Sequence, residues 1–427
     1  MSADRYMVIS SDGHASAQVK EYRPYLESKW HAQFDEEVEA GEGLRAAWRQ
    51  GAAEQVGQRL NWPEATIKAF MSSPTLQPGG HPGLRDPDHR ARDMDSDGVV
   101  GEVLFPDFHP ETVPPFGALG GGRKPAGIGT LSKEMYDIDL QYAGARAYNR
   151  WLAEFCSTHP GRWAGIAAVP LRDIERAVEE LEWAAKAGLR GGMLMPPMIS
   201  EMPGFNDPFY EPVWAACEDL GMPVNQHIGG DMPEYGTRPE AFALQRTEAN
   251  WFSRRTLWFL MWGGVFERHP NLRFALTEQD ADWIPYTLRE LDAMYDSPFA
   301  GPGLRAALSL RPTEYWTRQC FVGATFMSRL ECKMRYEIGV RNAMWGGDYP
   351  HMETTFPHSR ESLRYSYAGL PRDEVKLMIG ENAARVYNFD SAELVRVADR
   401  IGPGTDEIDD PLNEVPSDVH IGCLGFR

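Results

Sequence analysis

Eight short apolar runs, with helical stretches between most of them, constrain the fold of this chain more than any other feature. The runs occupy 7–11, 99–105, 164–170, 191–195, 223–227, 273–277, 320–325 and 342–345. Each is only a few residues long, the pattern of a strand covered on both faces. The stretches 139–155, 174–187, 208–220, 247–266, 283–294 and 373–387 carry apolar residues at helical spacing instead, as in Leu140, Ala143, Ala147, Trp151 and Phe155. Strands that alternate with helices form parallel sheets. Eight of them predict a closed (β/α)8 barrel, the TIM-barrel form of the α/β class. An open doubly wound sheet is the alternative. It is weakened because no Gly-x-Gly-x-x-Gly follows the first run.

The ends of these runs carry metal-ligand residue types. The first leads into Asp12-Gly13-His14, which sets a carboxylate and an imidazole on one side of a strand. The fifth ends in His227, and Asp348 follows the eighth. Each alone has an ordinary explanation, because Asp and His cap turns and bond to backbone. Together, at the C-terminal ends of three strands, where barrel enzymes keep their chemistry, they read as a metal site. Glu278 follows the sixth run, although a cap for the helix opening at Trp283 also explains it. His351, Glu353 and His358 follow Asp348, Glu102 lies inside the second run, and His109 lies beyond it.

One metal needs three or four protein ligands and a water, so this set exceeds one ion. The surplus belongs to a second ion, to groups that orient the ligands, or to the substrate. Asp12, His14, His227, Asp348, Glu278, His351, Glu353 and His358 are the candidate ligands. Carboxylate and imidazole without thiolate suit Fe, Zn or Mn, as one or two ions. Asp348, His227 and Glu278 are the candidate catalytic groups, since a metal-bound water or polarised carbonyl needs a base or acid beside it.

Composition narrows the function classes. There are 43 Lys and Arg against 62 Asp and Glu, a net charge of −19, with no basic block. That argues against nucleic acid and anionic membrane surfaces as partners and favours a small-molecule substrate. The 5 cysteines are scattered without a CxxC and read as reduced thiols in a cytoplasmic protein. No apolar stretch reaches membrane-spanning length. A homo-oligomer is expected.

Three stretches exceed ordinary loops. Residues 15–95 hold Trp30, Trp48, Trp62 and a helical pattern over 36–58, and are expected to cap the barrel mouth. Residues 107–135, rich in Gly and Pro, are expected to form a mobile loop. Residues 391–427, polar and acidic, read as a C-terminal tail suited to wrapping a partner. Residues 1–390 then form the barrel proper. The pair Arg254-Arg255 can anchor a carboxylate, with a plain surface role as the alternative. Tyr25, Trp30, Phe34 and Phe116 can line a pocket for an apolar, ring-containing substrate.

The motifs Asp12-Gly13-His14, Gln226-His227-Ile228-Gly229-Gly230, Thr277-Glu278-Gln279 with Trp283, and Gly346-Gly347-Asp348-Tyr349-Pro350-His351 resemble those of the amidohydrolase-related metal-dependent hydrolases. The branch is the one that includes aminocarboxymuconate-semialdehyde decarboxylase. Residues 264–272 and 381–387 also look like that branch, so the resemblance spans about 7–390. It implies the barrel and the metal and leaves the reaction open. Two positions depart from the family pattern. Asp12 stands where the family usually has His and some decarboxylases have Glu, and Glu278 stands where a His is common. Proteins with the Asp-Gly-His version resemble a nonheme diiron monooxygenase on the same fold, acting on terpenoid acyl-CoA. The leading expectation is hydrolysis or nonoxidative decarboxylation of a bulky carboxylate-type substrate. The monooxygenase and a non-catalytic barrel binding protein are the alternatives.

Overall fold

The structure is a computed structural model that describes residues 4–49, 62–77, 79–120, 136–198, 202–229, 233, 235, 236 and 238–427. All eight expected strands form: β1 (Val8–His14), β2 (Val99–Phe105), β3 (Trp163–Ala168), β4 (Gly192–Leu194), β5 (Val224–His227), β6 (Phe274–Thr277), β7 (Cys320–Thr325) and β8 (Ala343–Gly346). They lie side by side in sequence order, each parallel to the next. The ring closes between β8 and β1. The Asp348 N–H donates to the Asp12 carbonyl at 2.9 Å, and the His14 N–H donates to the Tyr349 carbonyl at 2.7 Å. Every residue of β1 and β2 is buried, as are those of the other six strands. That two-sided burial is why the runs read as continuously apolar.

The serines of β1 are polar residues in a buried strand, and both are used. Ser11 Oγ donates to the Trp345 carbonyl at 2.9 Å, and Ser10 Oγ accepts the Gly347 N–H at 2.9 Å. They tie β1 to β8 where the ladder is irregular, between Ser10 and Gly13. A bulge of this kind re-aims side chains at a strand end, here Asp12 and His14.

Two helices differ from the sequence pattern. The stretch expected at 247–266 starts earlier, as Pro239–Trp262 with proline in its first turn. Gly264, at φ 71°, then breaks the periodicity before a short helix at Val265–Arg268. The stretch 373–387 carries a π turn at Leu377–Glu381. A Cβ at Gly380 would sit 1.8 Å from the Met7 carbonyl, so the chain needs glycine to pass β1.

Within 15–95 the described residues form helices at His31–Arg49, Glu64–Phe70 and Pro87–Asp97. The cap aromatics pack this region together. Phe34 and Phe116 are buried edge to face at 6.2 Å, and Tyr25 donates to Glu154 at 2.9 Å. These contacts hold the cap together and join it to the Ile138–Ser157 helix. Residues 50–61 and 121–135, which include the end of the 36–58 pattern and most of the expected mobile loop, lie outside the described residues. Residues 391–427 lie against their own barrel. The Ser391–Ile401 helix buries Leu394 in the core, and Leu394 packs on Gly101 of β2. Among the described residues no helix is long and apolar enough to cross a membrane.

Candidate metal centre

Strand geometry brings four of the candidate ligands to one point. His227 Nε2 lies 3.4 Å from Asp12 Oδ1. His14 Nε2 lies 3.7 Å from the same oxygen and 3.3 Å from Asp348 Oδ1. All four residues are buried. Asp12 Oδ1, His14 Nε2, His227 Nε2 and Asp348 Oδ2 have no hydrogen-bond partner among the described residues. An unsatisfied buried polar atom costs about 1–3 kcal/mol, so four converging ones describe a site completed by a cation. The other nitrogen of each histidine is occupied. His14 Nδ1 meets the Pro106 carbonyl at 3.1 Å, and His227 Nδ1 meets the Ile228 carbonyl at 3.1 Å. A carbonyl only accepts, so Nδ1 carries the proton and Nε2 offers its lone pair to the centre. Asp12, His14, His227 and Asp348 would hold a divalent ion here.

Glu278 and Asp348 sit just past β6 and β8 with φ of 54° and 52°. Non-glycine residues rarely hold this left-handed backbone, and such strain concentrates at functional sites. Glu278 Oε2 lies 3.4 Å from His227 Nε2. Ligand atoms of Glu278, Asp348 and Glu353 fall within 4.8 Å of one another. His351 stacks on His14 at 3.8 Å between ring centroids, with Nδ1 2.9 Å from Asp348 Oδ1. His358 lies outside the group. It immediately precedes the Ser359–Tyr367 helix, and its Nε2 faces Asp418 at 3.5 Å. Glu102 is engaged elsewhere, accepting from Arg90 Nε at 2.7 Å in a buried pair.

The electrostatics follow from packing five acids and three histidines together. Burial pushes the Asp348 carboxyl up to about 7, although His351 opposes the shift. Burial and the facing Asp348 hold Glu278 well above the usual carboxylate range. Burial works against the charged form of His227, but Asp12 and Glu278 outweigh it and lift it to about 9. Burial and the neighbouring imidazoles hold His14 well below its ordinary value. A cation held by Asp12, His14, His227 and Asp348 would replace the protons shared among those four residues.

Three further residues support the site. Thr325, at the end of β7, donates to Asp12 Oδ2 at 2.6 Å. Asp107 lies 3.5 Å from His351 Nε2 and accepts from Thr112 Oγ1 at 2.7 Å. Burial pushes Asp107 up, but His351 prevails and its carboxyl stays far below the ordinary range. Arg90 donates to the His14 carbonyl at 2.6 Å, fixing the end of β1.

A family model described as Amidohydrolase matches residues 124–389. The chain belongs to the amidohydrolase family. The match begins after Asp12 and His14, which the closure of β1 onto β8 brings to the site. A gamma-resorcylate decarboxylase of Rhodococcus jostii (strain RHA1) is 30% identical over 267 residues, covering 58% of this chain and 77% of that protein. Two solved structures share the fold. The 5-carboxyvanillate decarboxylase LigW from Sphingomonas paucimobilis has a TM-score of 0.58 at 20% identity, over 90% of this chain and 99% of its own. A dihydroxybenzoic acid decarboxylase from Polaromonas sp. JS666, with bound manganese and 2-nitroresorcinol, has a TM-score of 0.60 at 17% identity, over 91% and 98%. This protein is a metal-dependent enzyme of the amidohydrolase superfamily, of its hydrolase and nonoxidative decarboxylase kind. The expectation of a monooxygenase finds no support in these relatives, and the binding-protein reading is set aside.

Proposed function

We propose that the protein is a nonoxidative decarboxylase of a hydroxylated aromatic acid, working with one manganese ion held by Asp12, His14, His227 and Asp348. The observation that carries this reading is the ring of buried ligand atoms with the Glu278 carboxyl, raised in proton affinity by burial and by Asp348, at its edge. The decarboxylases similar to this chain support the substrate class. When bound, the ion supplies a Lewis acid that polarises the acid substrate. Glu278 donates its proton to the ring carbon as the bond from that carbon to the carboxylate breaks. Carbon dioxide leaves, and the Glu278 carboxylate regains a proton from water. His351, placed between Asp348 and Asp107, orients that edge of the site. Phe105, 4.7 Å from His227 and 6.3 Å from His14 between ring centroids, gives the floor an apolar surface.

Manganese-loaded enzyme, assayed on a panel of dihydroxybenzoates with and without oxygen, tests the reading. Carbon dioxide release at equal rates in both conditions is expected. Oxygen uptake matched to product overturns it, as does ester or amide hydrolysis without carbon dioxide release. Glu353 and His351 are the groups nearest to serving a second ion. A metal content of about one per chain assigns them to orientation instead. Residues 15–95 we read as the cap that limits access, within a barrel unit ending near 390. The exposed Tyr286, Met294 and Phe299 support a homo-oligomer, which sedimentation would show. The five free cysteines suit a cytoplasmic protein.

A further inference from the structure

Residues 411–427 cross the C-terminal face of the barrel. His420 Nε2 meets the Ala69 carbonyl of the cap at 3.0 Å. The Leu424 N–H donates to the Glu353 carbonyl at 3.0 Å, and Ser362 Oγ donates to the Gly425 carbonyl at 2.8 Å. Arg427 then reaches the ends of β6 and β7. Its guanidinium pairs with Asp280 and lies 3.4 Å from the Thr325 carbonyl. Asp280 is two residues beyond Glu278, and Thr325 is the residue that orients Asp12. This segment is therefore part of the wall of the site.

A second guanidinium approaches the same loop from the Pro239–Trp262 helix. Arg254 stacks on Trp283, with its central carbon 4.3 Å from the ring centroid. Its Nε donates to Gln279 Oε1 at 3.0 Å. Gln279 is locked in turn, because its amide nitrogen donates to Ser253 Oγ at 2.8 Å. Among the described residues no carboxylate lies within ion-pairing distance of Arg254, and its two terminal nitrogens make no hydrogen bond. Burial holds its guanidinium down to about 10 against the fields of Asp280 and Asp282. A half-buried arginine with a fixed plane, an aromatic backing and a free fork is a carboxylate receptor. Neighbouring Arg255 lies beside Phe252 and Phe259 at 5.8 and 5.5 Å, apart from this loop.

We propose that Arg254, assisted by Arg427, forms an anion subsite at the mouth of the barrel that binds a second carboxylate on the substrate, remote from the one that is lost. The proposal rests on the decarboxylase reading and adds that the preferred substrate is a dianion. Arg254 supplies the free fork. Arg427, already shared with Asp280, contributes charge rather than a bidentate contact.

Calorimetric titration of the manganese-loaded full chain with benzene-1,3-dicarboxylate and with benzoate tests the subsite without needing turnover. The dicarboxylate is expected to bind more tightly. Arg254→Ala is expected to weaken the dicarboxylate by roughly tenfold to a hundredfold, as loss of a charged hydrogen bond does. Benzoate affinity and metal content should stay unchanged. Arg427→Ala should weaken the dicarboxylate about threefold, and Arg254→Lys should recover part of the loss. Equal weakening of both ligands by Arg254→Ala, or no weakening of either, overturns the proposal; where Arg254→Ala does not fold, equal weakening of both ligands by Arg254→Lys, or no weakening of either, overturns it instead. A selective loss in a protein that decarboxylates nothing keeps the subsite and removes the decarboxylase reading.

Discussion

The centre of the barrel and its flank each gather two histidines and an aspartate. At the centre they are His14, His227 and Asp12. On the flank they are His81, His89 and Asp93, whose ligand atoms also fall within 4.8 Å of one another. The residue types match and so does the spacing, but the hydrogen bonds run in opposite senses. On the flank the Gly83 N–H donates to His81 Nδ1 at 3.1 Å. A nitrogen that accepts an N–H carries no proton, so the neutral His81 ring bears its proton on Nε2, the atom that faces Asp93 at 4.0 Å. Asp93 is occupied as well, accepting from the Tyr349 hydroxyl at 2.5 Å. His81 therefore has no lone pair to offer an ion, and Asp93 Oδ2 is shared with Tyr349 and with His89 Nε2 at 3.3 Å. At the centre both histidines give Nδ1–H to a backbone carbonyl and keep Nε2 free. Proximity of ligand types thus does not make a metal site; the partners of the second nitrogen do.

Substituting one residue from each cluster gives the largest contrast. Asp348→Ala is expected to lower manganese from about one per chain to under about 0.1. Turnover should fall by more than about a thousandfold, because the ion's several kcal/mol of charge stabilisation goes with it. His81→Ala should leave both near wild type. Metal analysis of the two purified variants decides this, and loss of manganese from the His81 variant breaks the comparison.

A smaller effect isolates orientation from ligation. Thr325→Val keeps the shape of the side chain and removes the hydroxyl that holds Asp12 Oδ2. Affinity for manganese should weaken by roughly 10–100-fold, the usual effect of removing a ligand's supporting hydrogen bond. Competition with a chelator measures it. An unchanged affinity would show that Asp12 is fixed by the backbone of β1 alone.

The sequence makes some of these parts legible and hides others for physical reasons. A strand buried on two faces must be apolar throughout, so all eight strands stand out, and their order fixes the barrel. Asp12, His14, His227, Glu278 and Asp348 stand out together, because each could cap a turn alone but ligand types recurring at the ends of several such runs share one end of a barrel. Thr325 and Asp107 occupy the same kind of position, at or just past the ends of β7 and β2. They do not stand out, because hydroxyls and loop aspartates are common there and their partners are remote; Thr325 and Asp12 are 313 residues apart. His358 misleads in the opposite way. It is close to Asp348 in sequence, but the helix that starts after it turns its ring toward Asp418. Arg254 and Arg427 could be seen as charges, yet only the folded chain shows that they meet one loop.

The smallest expected effect compares buried acids that a cation relieves with one that it does not. The helix carrying His89 and Asp93 ends at Asp97, a buried carboxyl that accepts the Ser359 N–H at 3.0 Å. Burial pushes it up to about 7, against the hydrogen bonds from Ser359. In the unfolded chain it titrates near 3.9. Between these values the folded protein binds more protons than the unfolded chain, so this group's contribution to stability falls as pH rises from about 4 through 7. Above about 7 the fold carries an unpaired buried charge. Asp97→Asn removes the charge while its amide oxygen still accepts from Ser359. The variant should melt on the order of a few degrees higher than wild type at pH 8, with the gap closing or reversing by pH 5. The gap should be the same with and without manganese, because Asp97 is not among the groups that converge on the ion. Melting curves at the two pH values, each with and without manganese, provide the check. A gap independent of pH would mean that Asp97 is already paired in the fold, and a gap that manganese abolishes would join the flank electrostatically to the centre.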